Sequence, residues 1–415
     1  MRIAVIGAGI SGLGAALVLS RQHDVTLFER EARLGGHAHT HDVSVAGRAY
    51  RLDTGFLVFN ERTYPNFLRL LAQLGVLGQR SDMCFSVRCH RCRLEFSSRN
   101  LRSLFAQPWR AADPRHLRLL FDVLRFFGNA RRFLASSRGY DVGLGEFLDE
   151  GRYGSWLARH FVLPMTGAIW SASHANMRAF PARSILQFLE HHGLLAASGA
   201  PPWFTVAGGS RTYVDAIASR LEGRVRAGVP VMRIARDDQG VEVTVGESER
   251  LRFDRVVLAT HADQALRLLA DPSDRERELL GRFRYSANTT VLHTDRTALP
   301  RQRAAWASWN CELADCRRED LPASLTYHLN RLQALPDGPE FCVSLNRPPV
   351  GGEVLAEMHY THPILDRGAV EAQSAVEAMN GTRHTFYCGA HLRHGFHEDG
   401  LVSALSVTRR FGVEL

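Results

Sequence analysis

The strand, turn and helix pattern at the start of the chain constrains the fold more than any other feature. Residues 2–6, RIAVI, are mostly β-branched or small, as a buried parallel strand requires, and they run directly into GAGISGLGAA. Gly7 permits a tight turn, Gly9 lets the backbone approach a pyrophosphate, and Gly12 lets the next helix pack closely on the strand. The sequence therefore predicts an α/β fold that opens with a Rossmann-like dinucleotide-binding unit.

The second strand of this unit ends in the acidic residue that binds a ribose. The segment DVTLFER ends its strand at Glu29, about twenty residues beyond the glycines, where a carboxylate accepts hydrogen bonds from a ribose 2′-hydroxyl. The helix that begins near Ser11 directs unpaired N–H groups and the positive end of its dipole towards the phosphates. We therefore predict that the dinucleotide is bound by Gly7, Gly9, Ser11, Gly12 and Glu29.

The residues after Glu29 indicate which dinucleotide is bound. They follow the pattern RxxRxGG, with Arg30, Arg33, Gly35 and Gly36, which resembles the extended FAD fingerprint of the glutathione-reductase-like flavoproteins, in particular their amine-oxidase-like branch. The resemblance implies that the arginine and the paired glycines lie along the diphosphate of FAD and lead the chain towards the isoalloxazine. Arg33 suits this position because a guanidinium can neutralise a diphosphate through two hydrogen bonds.

The resemblance also implies that the FAD-binding domain is discontinuous, with two further segments. The middle segment has short strands around Val229 and a strand that ends at Ala259 and Thr260. The last segment, TFYCGAHLRHGFHEDGL, has the pattern of a strand, a loop and a helix that begins near Asp399 or Gly400, and in the family such a helix start faces the flavin pyrimidine. The further predicted FAD contacts are Val229, Ala259, Thr260, Gly389, Glu398, Asp399, Gly400 and Leu401, together with His37, Thr54, Gly55 and Phe56.

These three segments divide the chain into two expected domains. Residues 1–75, 205–270 and 380–415 form the FAD-binding domain, a discontinuous Rossmann-like unit. Residues 76–204, which are rich in helical patterns, and residues 271–379, which are richer in strand patterns, form an inserted α+β substrate domain. The expected fold class is therefore α/β, with the substrate domain inserted into the FAD-binding domain.

Three histidines follow the paired glycines at alternate positions, in GGHAHTH. In an extended chain His37, His39 and His41 share one face, which is how some metal sites are built. The fingerprint immediately before them favours another role, because this stretch of chain then lies beside the flavin. We expect His37 and His39, together with Glu398, to be the catalytic groups, His41 to be structural, and no metal to be bound.

The cysteines do not show the spacing of a metal site. Cys89 and Cys92 form a CxxC, but no second CxxC and no HxxxH follow at zinc-finger spacing, so we interpret them as incidental thiols on a hairpin. The total of seven cysteines is odd and fits a reducing compartment rather than a disulfide framework. With no signal-peptide pattern and no long apolar run, the sequence predicts a cytoplasmic protein.

The positive charge of the chain has a simple origin. All 51 basic residues are arginine, the formal net charge is +8, and this bias indicates genome composition, so we expect a solvated surface and no nucleic-acid partner. We expect the apolar face of the helix over residues 115–133 to pack in the core, although such a basic helix also suits peripheral contact with an anionic membrane if the substrate is a lipid. That face carries Leu117, Leu120, Phe121, Leu124 and Phe127.

Polar-aromatic stretches predict a pocket lining and narrow the resemblance. DTGFLVFNERTYPN, LPMTGAIWSAS, WASWN and TYHLNRLQ mix aromatic residues with Asn, Ser and Thr. Together with GGHAHTH and HGFHEDGL they resemble one bacterial branch of the amine-oxidase-like flavoproteins. Members of that branch are associated with cyclopropane fatty acid synthases and include desaturases of furan fatty acid formation.

This branch implies chemistry on an acyl chain. Amine oxidases commonly carry a lysine near flavin N5, whereas this chain has no lysine, and Cys388 lacks the pattern of a flavin-linking cysteine, so we expect non-covalent FAD. The expected function is an FAD-dependent oxidoreductase that desaturates or isomerises an unsaturated fatty acyl chain by hydride transfer to N5. The alternatives left open are oxidation of an amine, a porphyrinogen or a carotenoid-like substrate, a non-catalytic FAD-binding protein, and NAD-dependent chemistry. The sequence does not indicate an oligomeric state.

Overall fold

The turn between the first strand and the first helix shows how the glycine pattern folds. Strand β1 is Arg2–Ile6 and helix α1 is Ile10–Leu19. Gly7 has a φ of +97°, and a Cβ atom on Gly12 would lie 1.7 Å from the carbonyl oxygen of Gly7, so a glycine at residue 12 lets α1 sit directly on the turn. The computed structural model that gives this geometry describes residues 1–139, 141–196, 199, 201–321 and 324–415.

The strands follow two burial patterns. In Arg255–Leu258 the last three residues are buried in succession, as in a strand covered on both faces, whereas in Gly240–Val245 the buried valines alternate with more exposed residues. The strands after β1 are β2 Asp24–Glu29, β3 Thr40–Val45, β4 Arg48–Asp53, β5 Phe59–Asn60, β6 Gly78–Ser81, β7 Phe85–Cys89, β8 Leu94–Ser97, β9 Trp203–Val206, β10 Val225–Ala227, β11 Val231–Asp237, β12 Gly240–Val245, β13 Glu249–Phe253, β14 Arg255–Leu258, β15 Arg284–His293, β16 Trp309–Leu313, β17 Ser324–His328, β18 Cys342–Leu345, β19 Val354–Ile364 and β20 Thr385–Tyr387.

Capping side chains fix the start of several helices. The carboxylate of Asp113 accepts a hydrogen bond from the backbone N–H of Arg115 at 3.0 Å, and Ser273 caps another helix start in the same way. The helices after α1 are α2 Pro65–Leu74, α3 Leu101–Leu104, α4 Pro114–Ala135, α5 Leu144–Glu150, α6 Ser155–Leu157, α7 Leu163–Trp170, α8 His174–Ala179, α9 Ala182–His191, α10 Arg211–Arg220, α11 Ala262–Leu268, α12 Asp274–Gly281, α13 Leu329–Leu332, α14 Arg367–Met379 and α15 His397–Arg409, and a π-helical turn, Ala158–Val162, joins α6 to α7.

A parallel sheet of five strands forms the first layer, in the order β10-β2-β1-β14-β20. Its strands come from the beginning, the middle and the end of the chain. Ile3 and Val5 face a core shared with α1, α2, α10 and α15, whereas Ala4 and Ile6 face the β11-β12-β13 sheet, α12 and α14. Because the strands are parallel, their carboxyl ends meet at one edge, where open α/β sheets bind ligands.

A larger sheet of seven strands dominates the rest of the structure, in the order β19-β15-β18-β17-β16-β7-β8. Its neighbours pair antiparallel except β16 and β7, which are parallel. Helices α4 to α9 pack with its β7, β8 and β16 end. A third, small sheet has the order β5-β9-β6. The expected domain boundary at 75/76 falls between β5 and β6, and the one at 204/205 falls inside β9. No helix within the described ranges is long and apolar enough to cross a bilayer.

Helix α4 corrects the expectation for residues 115–133. Leu117, Phe121 and Leu124, predicted to face the core, are 45%, 57% and 58% exposed. The buried face of α4 instead includes Phe126 and Phe133, and it packs against α6 and α9. The prediction is confirmed for Phe127, which is buried, and is wrong for Leu117, Phe121 and Leu124. The reason is that α4 is apolar on two faces, so that its pattern alone does not say which face meets the rest of the protein.

One buried ion pair ties three elements together. Arg236 of β11 contacts both carboxylate oxygens of Glu276 of α12, at 2.5 and 3.0 Å, and the Tyr387 hydroxyl of β20 donates to the same carboxylate at 2.6 Å. The side chains of Arg236 and Glu276 are 1% and 3% exposed. Burial opposes ionisation of Glu276, but these hydrogen bonds lower its pKa to about 2.

We predict that Glu276→Ala lowers the free energy of unfolding by about 3–5 kcal/mol, because buried Arg236 loses its closest carboxylate and keeps only Asp271, and Tyr387 loses its acceptor. Chemical denaturation of the FAD-loaded protein measures the change. The matched control is Glu278→Ala in the same helix, whose ion pair with Arg282 is exposed and is expected to contribute less than about 1 kcal/mol. Equal effects of the two substitutions would show that the buried pair does not stabilise the fold.

Candidate functional site

A cavity of about 1370 Å³ opens at the carboxyl edge of the parallel sheet. This exceeds the ~300–1,000 Å³ of ordinary small-molecule pockets, so the cavity has room for a dinucleotide and a second molecule. One part is lined by the fingerprint and the middle segment, and we call it the nucleotide part. It comprises residues 6–11, 28–33, 35–37, 229–231 and 259–261.

The nucleotide part has the shape and polarity that a dinucleotide requires. A Cβ atom on Gly9 would meet no other atom within 4 Å, so open space lies directly beside this backbone, at the start of α1. At the end of β2 the Glu29 carboxylate accepts hydrogen bonds from the N–H groups of Ala8 and Glu31, at 2.7 and 3.0 Å, which hold it at the cavity. Val229 lies beside it, with its N–H donating to the Glu29 carbonyl. These residues fit a pyrophosphate and a ribose.

Arg33 lines the cavity and is also held by its own loop. Its terminal nitrogens donate to the carbonyl oxygens of Leu34, Gly36 and Ala38, at 3.0, 2.8 and 3.1 Å. The guanidinium therefore stabilises the loop after β2, and its place in the cavity lining keeps contact with a diphosphate a prediction. Arg30 lines the cavity and pairs with Glu31 at the surface.

The loop after the fingerprint lies directly on the glycine turn. A Cβ on Gly36 would be 3.1 Å from the Cα of Gly9, and a Cβ on Gly55 would be 2.1 Å from the His37 carbonyl oxygen. The N–H of Phe56 donates to that carbonyl at 2.8 Å, and the Phe56 ring stacks on His397 at 3.8 Å. These contacts bring two of the predicted segments to one wall of the cavity.

His37 lies at this wall with a ring nitrogen that has no hydrogen-bond partner among the described residues. Its ring lies 5.1 Å from the Tyr360 ring and 5.4 Å from the His362 ring, and its Nε2 is buried without a hydrogen-bond partner among the described residues. Burial, followed by the charges that His362 and His261 would carry, lowers the pKa of His37 well below its ordinary value. The imidazole is therefore neutral at physiological pH.

His39 also lines the cavity and belongs to a hydrogen-bonded group. Its Nδ1 is 2.9 Å from the Tyr360 hydroxyl, which is also 2.9 Å from the hydroxyl of Thr54. His41 contacts Thr54 from the other side, at 3.2 Å. Burial lowers the pKa of His39 to about 3. Thr54 does not line the cavity, and it positions the tyrosine and the two histidines.

The last helix corrects the predicted roles of Glu398 and Asp399. Helix α15 begins at His397, before the expected start near Asp399 or Gly400. The Glu398 carboxylate accepts hydrogen bonds from the backbone of Asn66 and Phe67, at 3.0 and 2.9 Å, so it is committed to the start of α2 and is not a catalytic group. Asp399 accepts from the N–H of Phe396, at 2.9 Å, and caps its own helix.

Gly400 and Leu401 also hold the helix in place and do not line the cavity. A Cβ on Gly400 would lie 2.8 Å from the Ser11 Oγ, and Leu401 is fully buried against Gly14. Their role is to pack α15 against α1. Of the predicted residues in the last segment, Gly389 lines the cavity.

The remainder of the cavity is lined mainly by apolar and aromatic side chains, together with several histidines. Asp82 and Arg99 lie on it, pair with each other at 3.3 Å, and have side chains 32% and 47% exposed, so they mark its opening to solvent. The polar-aromatic stretches contribute Trp170, Trp309 and Tyr327 to its lining. The other large side chains are Met83, Phe85, Phe127, Phe161, Met165, Ile169, Phe188, Leu194, Trp203 and Met358.

Several lining residues were missed from the sequence. Tyr360 and His362 lie on β19, where the period of two places them on one face with Met358. The alternation in the sequence EMHYTHP could have predicted that these residues share one face of a strand. His261 and His391 had no such signal, because they follow two different strands of the parallel sheet and meet only in the folded chain.

A Rossmann-like unit whose nucleotide part opens into a larger, mainly apolar chamber fits a flavin-binding protein. Residues 10–361 match the family model of flavin-containing amine oxidoreductases, so the chain belongs to that family. FAD is its cofactor, and the residues of the nucleotide part are those that would hold it.

One curated protein and two solved structures that resemble this chain share low sequence identity with it. A protein of Mycobacterium tuberculosis described as the flavin-containing monoamine oxidase AofH is 27% identical over 263 residues, which is 60% of this chain and 54% of that protein, so the chain spans about half the length of this curated relative. Among solved structures, a CLA-producing fatty acid isomerase from P. acnes has a TM-score of 0.69 at 20% identity, covering 99% of this chain and 98% of the other. Putrescine oxidase bound to putrescine has a TM-score of 0.67 at 12% identity, with 99% of each chain covered. At these identities the structures show a shared fold.

We predict that Gly9→Ala weakens FAD binding by roughly ten- to hundredfold, because overpacking costs about 1–3 kcal/mol. Gly9 has a φ of −72°, which alanine adopts freely, and nothing in the protein obstructs its Cβ. The folded chain should therefore be unaffected while the methyl group meets the cofactor. Flavin content after purification and thermal unfolding measure the two effects.

Gly128→Ala in α4 is the control, since that position is also open. It should keep full flavin content. Unchanged FAD affinity in Gly9→Ala would contradict the assignment of the space beside Gly9 to the cofactor.

Proposed function

We propose that this enzyme desaturates or isomerises an unsaturated fatty acyl chain. The observation that supports the proposal is the lining of the cavity outside the nucleotide part, which we call the acyl part. Among the described lining residues, the carboxylate outside the nucleotide part is that of Asp82, which is already paired with Arg99 and Arg331. A cationic amine would lose its hydration in this cavity without gaining a free anion, whereas an alkyl chain gains from burial.

The chemistry requires a dry, oriented chain and a weak base. When bound, FAD supplies an acceptor for a hydride. Loss of a hydride from an allylic carbon leaves a cation delocalised over three carbons, and loss of a proton from the next carbon gives a conjugated diene. The aromatic walls of the acyl part exclude water and hold the chain, and the neutral imidazole of His37, which lines the cavity, accepts the proton. Non-covalent attachment of FAD agrees with Cys388, which is fully buried and does not line the cavity.

The family relatives support two substrate classes. A solved structure with the same fold is a fatty acid isomerase, and another is putrescine oxidase. The apolar lining favours the first class, and oxidation of an amine is the competing function. A test must therefore offer both kinds of substrate under the same conditions.

We predict that anaerobic incubation with a cis-unsaturated phospholipid or free fatty acid bleaches the flavin absorption, or yields an isomerised acyl chain without net bleaching. Absorption spectroscopy and analysis of the recovered lipid for conjugated double bonds measure the two outcomes. His37→Gln should slow the reaction by roughly 10²–10⁴-fold, as for loss of a general base.

The control is His191→Gln, an exposed residue that does not line the cavity and should react as the wild type does. Bleaching by putrescine or another amine, with no change in any unsaturated lipid, would reject the proposal and support amine oxidation. Bleaching by no substrate would indicate a protein that binds FAD without catalysis.

We infer further that α4 contacts an anionic membrane surface, from which a lipid substrate enters. The helix exposes Leu117, Phe121 and Leu124, and Trp109, just before it, is 62% exposed. Residues 114–135 include five arginines and one acidic residue, which suits an anionic leaflet. Phe127 of the same helix lines the acyl part, so α4 joins the exposed patch to the cavity. None of the seven cysteines, all of which the structure describes, forms a disulfide, which supports a reducing compartment and hence the cytoplasmic leaflet.

We predict that Leu117→Glu with Phe121→Glu lowers binding to phosphatidylglycerol vesicles at least roughly tenfold, because these two exposed apolar side chains no longer insert into the lipid. Vesicle co-sedimentation measures binding. Met232→Glu, at a residue that is 58% exposed on β11, is the control and should bind as the wild type does. Failure of the wild type to bind anionic vesicles would exclude this contact.

A further inference from the structure

Four residues with metal-binding side chains lie together in the substrate domain. The Sγ atoms of Cys89, Cys92 and Cys316 and a ring nitrogen of His160 all lie within 4.8 Å of one another. The Sγ atoms of Cys92 and Cys316 are 3.5 Å apart. Zinc has Zn–S bonds of about 2.3 Å and Zn–N bonds of about 2.0–2.1 Å, so its tetrahedral geometry places neighbouring ligand atoms about 3.5–3.8 Å apart. The four atoms are therefore close to the spacing that one ion imposes.

Three separate elements bring these residues together. Cys89 ends β7 and Cys92 lies in the turn to β8, where the Cys92 N–H donates to the Sγ of Cys89 at 3.5 Å. Strand β16 pairs in parallel with β7, with Leu313 opposite Cys89, so the segment after β16 carries Cys316 to the same end of the sheet. His160 comes from the π-helical turn between α6 and α7. The cluster therefore joins the end of the seven-stranded sheet to the helical layer.

His160 distinguishes this cluster from incidental thiols. The residue is 1% exposed, and neither ring nitrogen has a hydrogen-bond partner within the part of the chain that the structure describes. The carbonyl of Trp156, one turn earlier, approaches the ring without forming a hydrogen bond of normal geometry. Buried imidazoles are normally hydrogen-bonded, and a metal-bound histidine gives one nitrogen to the metal and directs its other N–H to an acceptor such as a carbonyl. The Trp156 carbonyl is near enough for that second role.

We propose that Cys89, Cys92, Cys316 and His160 bind one Zn²⁺ ion in a closed structural site. Three thiolates and one imidazole form a donor set typical of structural zinc, and four protein ligands complete the tetrahedron, so no position is open for substrate. The three thiols release their protons to solvent as the zinc–sulfur bonds form. The ion fixes the π-helical turn, and Phe161, the residue after His160, lines the acyl part. Zinc thus supports one wall of the cavity without taking part in the chemistry.

The test is the metal content of the FAD-loaded protein, purified without chelator from cells supplied with zinc. Elemental analysis by inductively coupled plasma mass spectrometry should find one zinc ion per chain. Cys316→Ala and His160→Ala should each retain less than a tenth of the wild-type zinc content. The matched control is Cys342→Ala, which removes a buried thiol from the same sheet and should keep full zinc content. Flavin content confirms that each variant is folded.

A second measurement uses the unmodified chain, in case a variant fails to fold. Cobalt exchanged into the wild type should show thiolate charge-transfer absorption and ligand-field bands of a tetrahedral site. Cys92, the partly exposed thiol of the four ligands, should react with a thiol reagent only after the metal is removed. Wild-type protein without stoichiometric zinc would overturn the proposal. So would full zinc content in Cys316→Ala, stoichiometric iron in place of zinc, or a Cys92–Cys316 disulfide isolated from metal-free protein.

Discussion

The close contact between α1 and the turn after β1 is the constraint on which the site depends. Because Gly12 has no side chain, the helix start lies at the carboxyl edge of the parallel sheet, and the space beside Gly9 stays open. Gly36 rests on Gly9 in turn, so the loop that carries His37 is held against the same edge. The same backbone packing therefore leaves space for the cofactor and positions His37, a candidate catalytic residue, beside it.

The second consequence of this arrangement is that the cofactor space continues into an apolar chamber. Helix α15 closes the back of it, with Glu398 fastened to α2 and Phe56 stacked on His397. The buried histidines around this junction have lowered pKa values because burial disfavours their charged forms, as for His362 and His391, at about 4 and 3. The chamber can therefore hold polar groups and remain uncharged, which suits an alkyl chain.

Local patterns predicted the nucleotide-binding unit, because its chemistry depends on glycines, a strand and an acid within thirty residues. The errors concern side chains whose partners lie far away in sequence. Glu398 had suitable chemistry for FAD, but backbone amides of α2, more than 300 residues earlier in the chain, bind its carboxylate. Likewise a search for zinc-finger spacing could not join Cys92 to Cys316, which lie 224 residues apart and meet because β7 and β16 pair.

We propose that one cavity holds FAD and an acyl chain in contact. The most direct test of this proposal is titration of the FAD-loaded enzyme with a saturated long-chain fatty acid, which has no allylic carbon to oxidise. If the acyl chain contacts the flavin, we expect a saturable change in the flavin absorption spectrum and competitive inhibition of turnover of the unsaturated chain. No spectral change at any chain length, together with a saturable change on adding a small amine, would contradict it.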